Sequence, residues 1–296
     1  MFQLQGIVPP LVTPLKEDET IDEAALERQL GRMVEAGVHG IFFLGTTGEQ
    51  PALRDSERRK ALRRARQVLG DRTPLIVGTM AASTARAIEH IREAEEAGAD
   101  AVAVTPPYYY VSRGPEDQVP HYRACAAATG LPVVIYNIPL TTKVQLAPET
   151  MARIAEIPNV HGVKDSSGDF IHFLRILSLF RGREGFGAMV GNPPLAGAAL
   201  LYGAAGVVPG IANVDPRTML DIYVAARAGD TAALVRLQER VHKLMNLAAL
   251  GAPIATFKTA LELMGVCRHY TTTPIQPLSP EKREAAAAIL RELELI

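Results

Sequence analysis

Residues 101–106 read Ala-Val-Ala-Val-Thr-Pro and residues 132–137 read Pro-Val-Val-Ile-Tyr-Asn, with a helical stretch at about 115–130 between them. Neither run alternates apolar with polar side chains. A strand with one wet face alternates, whereas a strand covered on both faces reads as continuously apolar. The segment 101–137 is therefore a strand, a helix and a second buried strand, the unit from which parallel sheets are built.

The unit recurs on both sides. Apolar runs lie at 6–15, 40–45, 74–79, 160–164, 187–191 and 206–210. Helical patterns fill the gaps. In the first, Leu26, Leu30, Met33 and Val34 make one apolar stripe, with Asp22 placed to cap its start and Gly37 to end it. Asp55 or Ser56 is placed to cap the second, and Gly70 to end it. The third runs from Ser83 or Thr84 to Gly98, and others fall at about 147–157, 169–181, 193–202 and 215–228. Eight strand-then-helix units over residues 1–228, without a break in composition, predict an α/β fold, a (β/α)8 TIM barrel. A doubly wound open sheet competes, but its nucleotide fingerprint is missing: Gly185-Phe186-Gly187 followed by Gly191 has the wrong last spacing. Residues 229–296 hold three more helical stretches, at about 231–247, 253–264 and 280–294, and no strands of their own. They predict a C-terminal helical extension, with Pro274, Pro277 and Pro280 marking the irregular link to the last helix.

Composition narrows the function. Of 296 residues, 48% are apolar and 21% charged, enough for a large core and incompatible with a disordered chain. Lys plus Arg is 31 against 32 for Asp plus Glu, a net charge of −1, which argues against a dedicated nucleic-acid binder. Arg54, Arg58, Arg59, Lys60, Arg63, Arg64 and Arg66 crowd the second helix, but Ala61, Leu62, Ala65, Val68 and Leu69 form an opposite apolar stripe, so the basic run reads as an outer face. Cys125 and Cys267 form no metal spacing and no disulfide framework. With no secretory signal visible in the first residues, the expected location is the cytoplasm. Residues 185–214 carry no charge, yet Gly and Pro break them repeatedly, so they read as buried strand, short helix and buried strand rather than a membrane span. The histidines show no i, i+4 pairing, so no metal site is expected. Ser166-Ser167-Gly168 lacks the leading glycine of a nucleophile elbow.

In such a barrel the chemistry sits at the C-terminal strand ends. Lys164 closes the apolar run 160–164, which would put its amine in the barrel mouth, partly desolvated. Desolvation disfavours the ammonium, and a neutral amine can attack a ketone. The chain has seven lysines against 24 arginines, and an arginine cannot deprotonate for this role. The competing reading of Lys164 is a structural ion pair with Asp165 or Glu49. Tyr136 ends the preceding strand, close enough for its phenol to relay protons, or simply to pack. The turn Gly45-Thr46-Thr47-Gly48 offers amides and hydroxyls to a carboxylate, or is only a tight turn.

Gly45-Thr46-Thr47-Gly48-Glu49, Tyr136-Asn137-Ile138-Pro139 and Gly162-Val163-Lys164-Asp165 together resemble the signatures of the dihydrodipicolinate synthase/N-acetylneuraminate lyase family, class I aldolases that handle pyruvate. The resemblance covers nearly the whole chain. It implies that Lys164 forms the imine with pyruvate, that Tyr136 shuttles protons, and that Thr46 and Thr47 hold the pyruvyl carboxylate. It further implies that Tyr109 enters a neighbouring subunit's site in a homotetramer, with Tyr108 and Tyr110 as alternatives one step away. Gly191 and Val208 match positions lining the pyruvate pocket, and no metal or organic cofactor is implied. True synthases of this family carry an arginine two residues after the proline of the tyrosine motif; here that position is Thr141, with Lys143 two residues further on. The sialic-acid lyases carry acidic residues after strand seven, where this chain has Gly191-Asn192-Pro193-Pro194. Thr141, Thr142, Ser166, Ser167 and Asn192 instead offer neutral contacts. The expected substrate is therefore a 2-keto-3-deoxy sugar acid or hydroxy-2-oxo acid. The alternatives are synthase activity on pyruvate and aspartate semialdehyde, and a non-catalytic member that binds a small acid.

Overall fold

The computed structural model describes residues 2–112 and 114–296. Its elements run β1 (Gly6–Ile7), α1 (Glu23–Ala36), β2 (Ile41–Phe43), α2 (Asp55–Leu69), β3 (Leu75–Gly78), α3 (Thr84–Glu96), β4 (Ala101–Val104), α4 (Pro115–Ala127) and β5 (Val133–Asn137). Then follow α5 (Pro139–Thr142), α6 (Pro148–Ala155), β6 (Val160–Asp165), α7 (Phe170–Phe180), β7 (Gly187–Val190), α8 (Ala196–Leu201), β8 (Gly206–Val207) and α9 (Pro216–Ala228). The chain ends in α10 (Thr231–Ala248), α11 (Pro253–Leu263) and α12 (Pro280–Glu292).

Each strand from β2 to β7 pairs in parallel with its successor, and β8 pairs in parallel with β1. Just past β1 the ring closes: Leu11 N donates to Phe42 O at 3.0 Å, and Phe42 N donates to Pro9 O at 2.9 Å. This is the (β/α)8 barrel. The apolar run 6–15 suggests a longer first strand than the two residues observed. Pro9 and Pro10 have no N–H, so the ladder cannot continue through them.

Alternation is hidden in the apolar runs because both faces are covered. Phe42, Ile76, Ala101, Ala103, Val134, Tyr136, Met189 and Val208 belong to one cluster filling the barrel. Their strand neighbours Ile41, Phe43, Leu75, Val77, Val102, Val104, Val133 and Ile135 belong to the larger cluster under the helices. Successive side chains point to opposite faces, which is the whole cause of this division.

Most local signals act as expected. Asp22 accepts from Ala25 N, Ser83 accepts from Arg86 N, and Gly37 ends α1 at φ 82°. The start of α2 differs: Arg54 is its N-cap and makes no side-chain capping bond, while Asp55 lies in the first turn. There its carboxylate still favours the helix dipole. The four-residue α5 has no counterpart in the sequence pattern, and the stretch at 193–202 is a 3-10 turn, Pro193–Leu195, running into α8. Residues 185–214 contain β7, α8 and β8, and among the described residues no single helix is long and apolar enough to cross a membrane. The basic run on α2 meets carboxylates of α1 and α3 and around them: Arg58 and Arg59 pair with Glu93, Lys60 with Glu23, Arg64 with Glu27 and Arg66 with Asp100.

The C-terminal helices reach the barrel mouth. Lys258 of α11 pairs with Glu49 at 2.5 Å, both side chains fully buried. Thr272 donates to the same carboxylate from N at 2.7 Å and from Oγ1 at 2.8 Å. Glu49 is the last residue of the Gly-Thr-Thr-Gly-Glu turn, so the tail holds the turn in place.

Candidate active site

Strands β5 and β6 set Tyr136 directly beside Lys164, and Asn137 directly beside Asp165. Alternation then turns Tyr136 and Lys164 into the barrel and the other pair away from it. The Lys164 amine lies 3.9 Å from the centroid of the Tyr136 ring and 4.1 Å from that of Phe42. Phe42 and Tyr136 meet edge to face, with centroids 5.4 Å apart. Among the described residues no carboxylate lies within ion-pair distance of this amine. Burial pushes the Lys164 pKa well below the ordinary lysine value. Ring faces favour a cation, but loss of water outweighs them at a buried site. The ion-pair reading is corrected here: Glu49 is held by Lys258, and Asp165 accepts from Asn137 Nδ2 at 2.6 Å and Ser167 Oγ at 2.7 Å.

The Tyr136 hydroxyl lies 3.3 Å from Thr46 Oγ1 and also meets the Ser166 hydroxyl. Burial raises the phenol to about 12, the two hydroxyl contacts pulling the other way. It therefore stays protonated at neutral pH, able to donate one proton and accept another. The Ser166 hydroxyl can take this position only because residue 191 is glycine: a Cβ there would stand 2.0 Å from Ser166 Oγ. Val208 is buried in the barrel-filling cluster.

Thr46 and Thr47 are half-buried in the turn after β2, and only Thr46 bonds Tyr136. The turn is closed by Gly48 N donating to Gly45 O at 3.0 Å and Glu49 N to Thr46 O at 3.1 Å. Leu44 and Glu49 flank it at φ 51° and 59°. Two side-chain-bearing residues in the left-handed region cost roughly 1–3 kcal/mol each, and the burial of Glu49 by the tail is what holds one of them there.

Other sequence candidates lie further out. Thr141 is exposed and its hydroxyl donates to Ile138 O at 3.3 Å. Lys143 does not turn inward: its Nζ donates to Leu140 O at 2.7 Å. Tyr108 packs against the barrel-filling cluster, whereas Tyr109 and Tyr110 are 82% and 77% exposed. Tyr109 also has φ 76°. Motif reasoning misses Phe42, Asn137, Asp165 and His172 as parts of the site. Phe42 is recoverable, since it is the one residue of the run 41–43 with the inward parity.

The sequence matches the Dihydrodipicolinate synthetase family over residues 3–293. The chain belongs to that family. It is accordingly a lyase of the class I aldolase type. It is 35% identical over 292 residues to the 4-hydroxy-tetrahydrodipicolinate synthase of Phenylobacterium zucineum, covering 99% of this chain and 98% of the relative. Among solved structures of the family, dihydrodipicolinate synthase from Bacteroides thetaiotaomicron superposes with TM-score 0.94 at 32% identity, covering 99% of this chain and 100% of that one. The chloride-inhibited dihydrodipicolinate synthase from Acinetobacter baumannii, complexed with pyruvate, superposes with TM-score 0.93 at 32% identity, covering 100% of both chains.

Proposed function

We propose that the protein forms an imine between Lys164 and the ketone of a 2-oxo acid, and makes or breaks a carbon–carbon bond through it. The observation that carries this reading is the Lys164 amine itself: buried, without a carboxylate partner among the described residues, and set 3.9 Å from the Tyr136 ring. The neutral amine adds to the carbonyl carbon, and its nitrogen passes a proton to the oxygen through the Tyr136 hydroxyl. A second proton on that oxygen releases water and leaves the iminium. The iminium accepts the electron pair freed when the C3 bond breaks, giving an enamine. In retro-aldol cleavage that bond joins C3 to the aldehyde carbon, whose hydroxyl proton is removed. In condensation the C3 proton leaves and the enamine attacks an aldehyde. Tyr136 is the proton carrier in both directions. Thr46 and Thr47 take the carboxylate, Gly191 and Val208 line the pocket, and the covalent imine replaces any metal or organic cofactor.

For the second substrate the reading is a 2-keto-3-deoxy sugar acid or short hydroxy-2-oxo acid. Thr141 and Ser166 offer hydroxyls near the mouth, and Lys143 is spent on a backbone carbonyl. A charge-assisted contact to carboxylate is worth roughly 1.5–3 kcal/mol, and Thr141 cannot supply it. The synthase reading, pyruvate plus aspartate semialdehyde, is favoured by the name of the Phenylobacterium zucineum relative. We further propose a cytoplasmic homotetramer in which Tyr109 completes a neighbour's site, since it is 82% exposed on a single chain.

Borohydride in the presence of pyruvate tests the core of this reading: a reduced three-carbon adduct is expected on Lys164. No adduct means a non-catalytic binder. Comparing kcat/KM for aspartate semialdehyde plus pyruvate with cleavage of several 2-keto-3-deoxy acids decides the substrate. Light scattering that finds only monomer removes Tyr109 from the site.

A further inference from the structure

Behind the reacting pair, facing away from the barrel interior, lies a buried polar bracket. Asn137 follows Tyr136 and Asp165 follows Lys164, and the two are register partners. Asn137 Nδ2 donates to Asp165 Oδ1 at 2.6 Å, and Asn137 Oδ1 accepts from Leu146 N at 3.1 Å. Ser167 Oγ donates to Asp165 Oδ2 at 2.7 Å and in turn accepts from Asp169 N, the residue that caps α7. His172 of α7 brings its Nε2 to 3.8 Å from Asp165 Oδ1. Asn137 is 0% exposed, Asp165 1% and His172 6%.

A buried carboxylate is a costly way to stabilise a strand end, and well-packed apolar residues often do as well or better. The bonds that join Asn137, Asp165 and Ser167 have a different merit: together they admit one geometry. The β5–β6 pair needs that. Its register shifts between Val133, which opposes Val160, and Val134, which opposes Gly162. The extra residue on β6 is a bulge, which interrupts the ladder four pairs before the strand ends. A one-residue slip would turn Lys164 from the barrel to the helix layer and separate it from Tyr136.

We propose that Asn137 and Asp165 are positioning residues: their side-chain bond locks the ends of β5 and β6 abreast, and so fixes Tyr136 against the Lys164 amine. The inference rests on Lys164 being the imine-forming lysine. Ser167 holds Asp165 from the α7 side, with His172 packed close by.

The test needs only pyruvate. Enamine formation exchanges its methyl protons with D2O, read by NMR, and borohydride traps the preceding imine. Asn137→Ala should lower the exchange turnover by about 10–100-fold, as expected for a small misplacement of reacting groups, with little change in KM for pyruvate. The swap Asn137→Asp with Asp165→Asn should restore most of the loss. In the swapped protein the amide at position 165 donates to the carboxylate at position 137 and still accepts from Ser167. That carboxylate still accepts from Leu146 N, so every bond is remade with the charge moved. If Asn137→Ala does not fold, Ser167→Ala removes the bond to Asp165 and the one from Asp169 N while leaving Asn137 on Asp165, and a loss of exchange turnover without a matching fall in melting temperature is expected. A role confined to stability predicts the reverse: lower melting temperature, restored by the swap, with exchange unchanged throughout. That result overturns the proposal. Wild-type protein that neither exchanges nor traps pyruvate overturns the imine reading first, and the positioning role with it.

Discussion

Lys164 and Lys258 are both buried, in opposite electrostatic surroundings. Lys258 faces Glu49 at 2.5 Å and donates to Tyr270 O at 2.7 Å. Lys164 faces two aromatic rings and, among the described residues, no carboxylate. Burial lowers both amines, but at Lys258 the carboxylate pulls the other way, and at Lys164 nothing comparable does. Paired, a buried lysine is a strut. Unpaired, it is an amine driven toward its neutral form, held at a cost to folding. One ion pair thus separates a lysine that ties the fold together from the one proposed to form the imine, and the two should answer mutation with opposite signs.

The widest gap should come from Lys164→Met. Trapping of pyruvate and all turnover are lost, while stability to denaturant rises because a desolvated amine has been removed. The sign follows from linkage. The unfolded lysine titrates near 10.5 and the folded one well below, so between those values the unfolded state holds more protons. Wild-type stability therefore climbs with pH in that window, and its deficit against Lys164→Met should shrink as pH approaches 10.5. Denaturation midpoints at several pH values check this, and a deficit that widens with pH would break the comparison.

Tyr136→Phe keeps the ring against Lys164 and removes only the hydroxyl. Turnover should fall about 10²–10⁴-fold with the melting temperature nearly unchanged. Steady-state kinetics beside a thermal melt would show it, and wild-type turnover in the variant would remove the phenol from the mechanism.

For Lys258→Met the expected loss is of stability, about 3–5 kcal/mol, because Glu49 is left buried without its partner. Adding Glu49→Gln should recover most of it. Equilibrium unfolding of the single and double variants decides whether the pair, rather than either residue, is what matters. The smallest effect belongs to Gly191→Ala, whose methyl displaces the Ser166 hydroxyl from Tyr136. A loss of about tenfold in turnover is expected in steady-state kinetics, a fraction of what a whole proton-transfer group is worth.

The barrel is legible in the sequence because strands covered on both faces write themselves as unbroken apolar runs, eight times over. Lys164 and Tyr136 are legible because each lies at the end of such a run. The same continuity conceals which residues face inward, so Phe42 escapes notice although it touches the amine. The partner of Glu49 is equally hidden: Lys258 and Thr272 lie more than 200 positions away, on segments whose local pattern says only helix and link. Asp165 looks like a partner for Lys164 because it adjoins it in sequence, yet adjacency along a strand places two side chains on opposite faces.

The bond from Thr272 to Glu49 spans 223 positions. At about 5–20 residues per second, a ribosome needs roughly 10–45 s after making Glu49 before Thr272 exists. Throughout that interval the nascent barrel can assemble its strands while the carboxylate beside the threonine turn remains in water. A segment made long after the threonine turn is thus the one that seals it, and the turn's final packing waits for that segment.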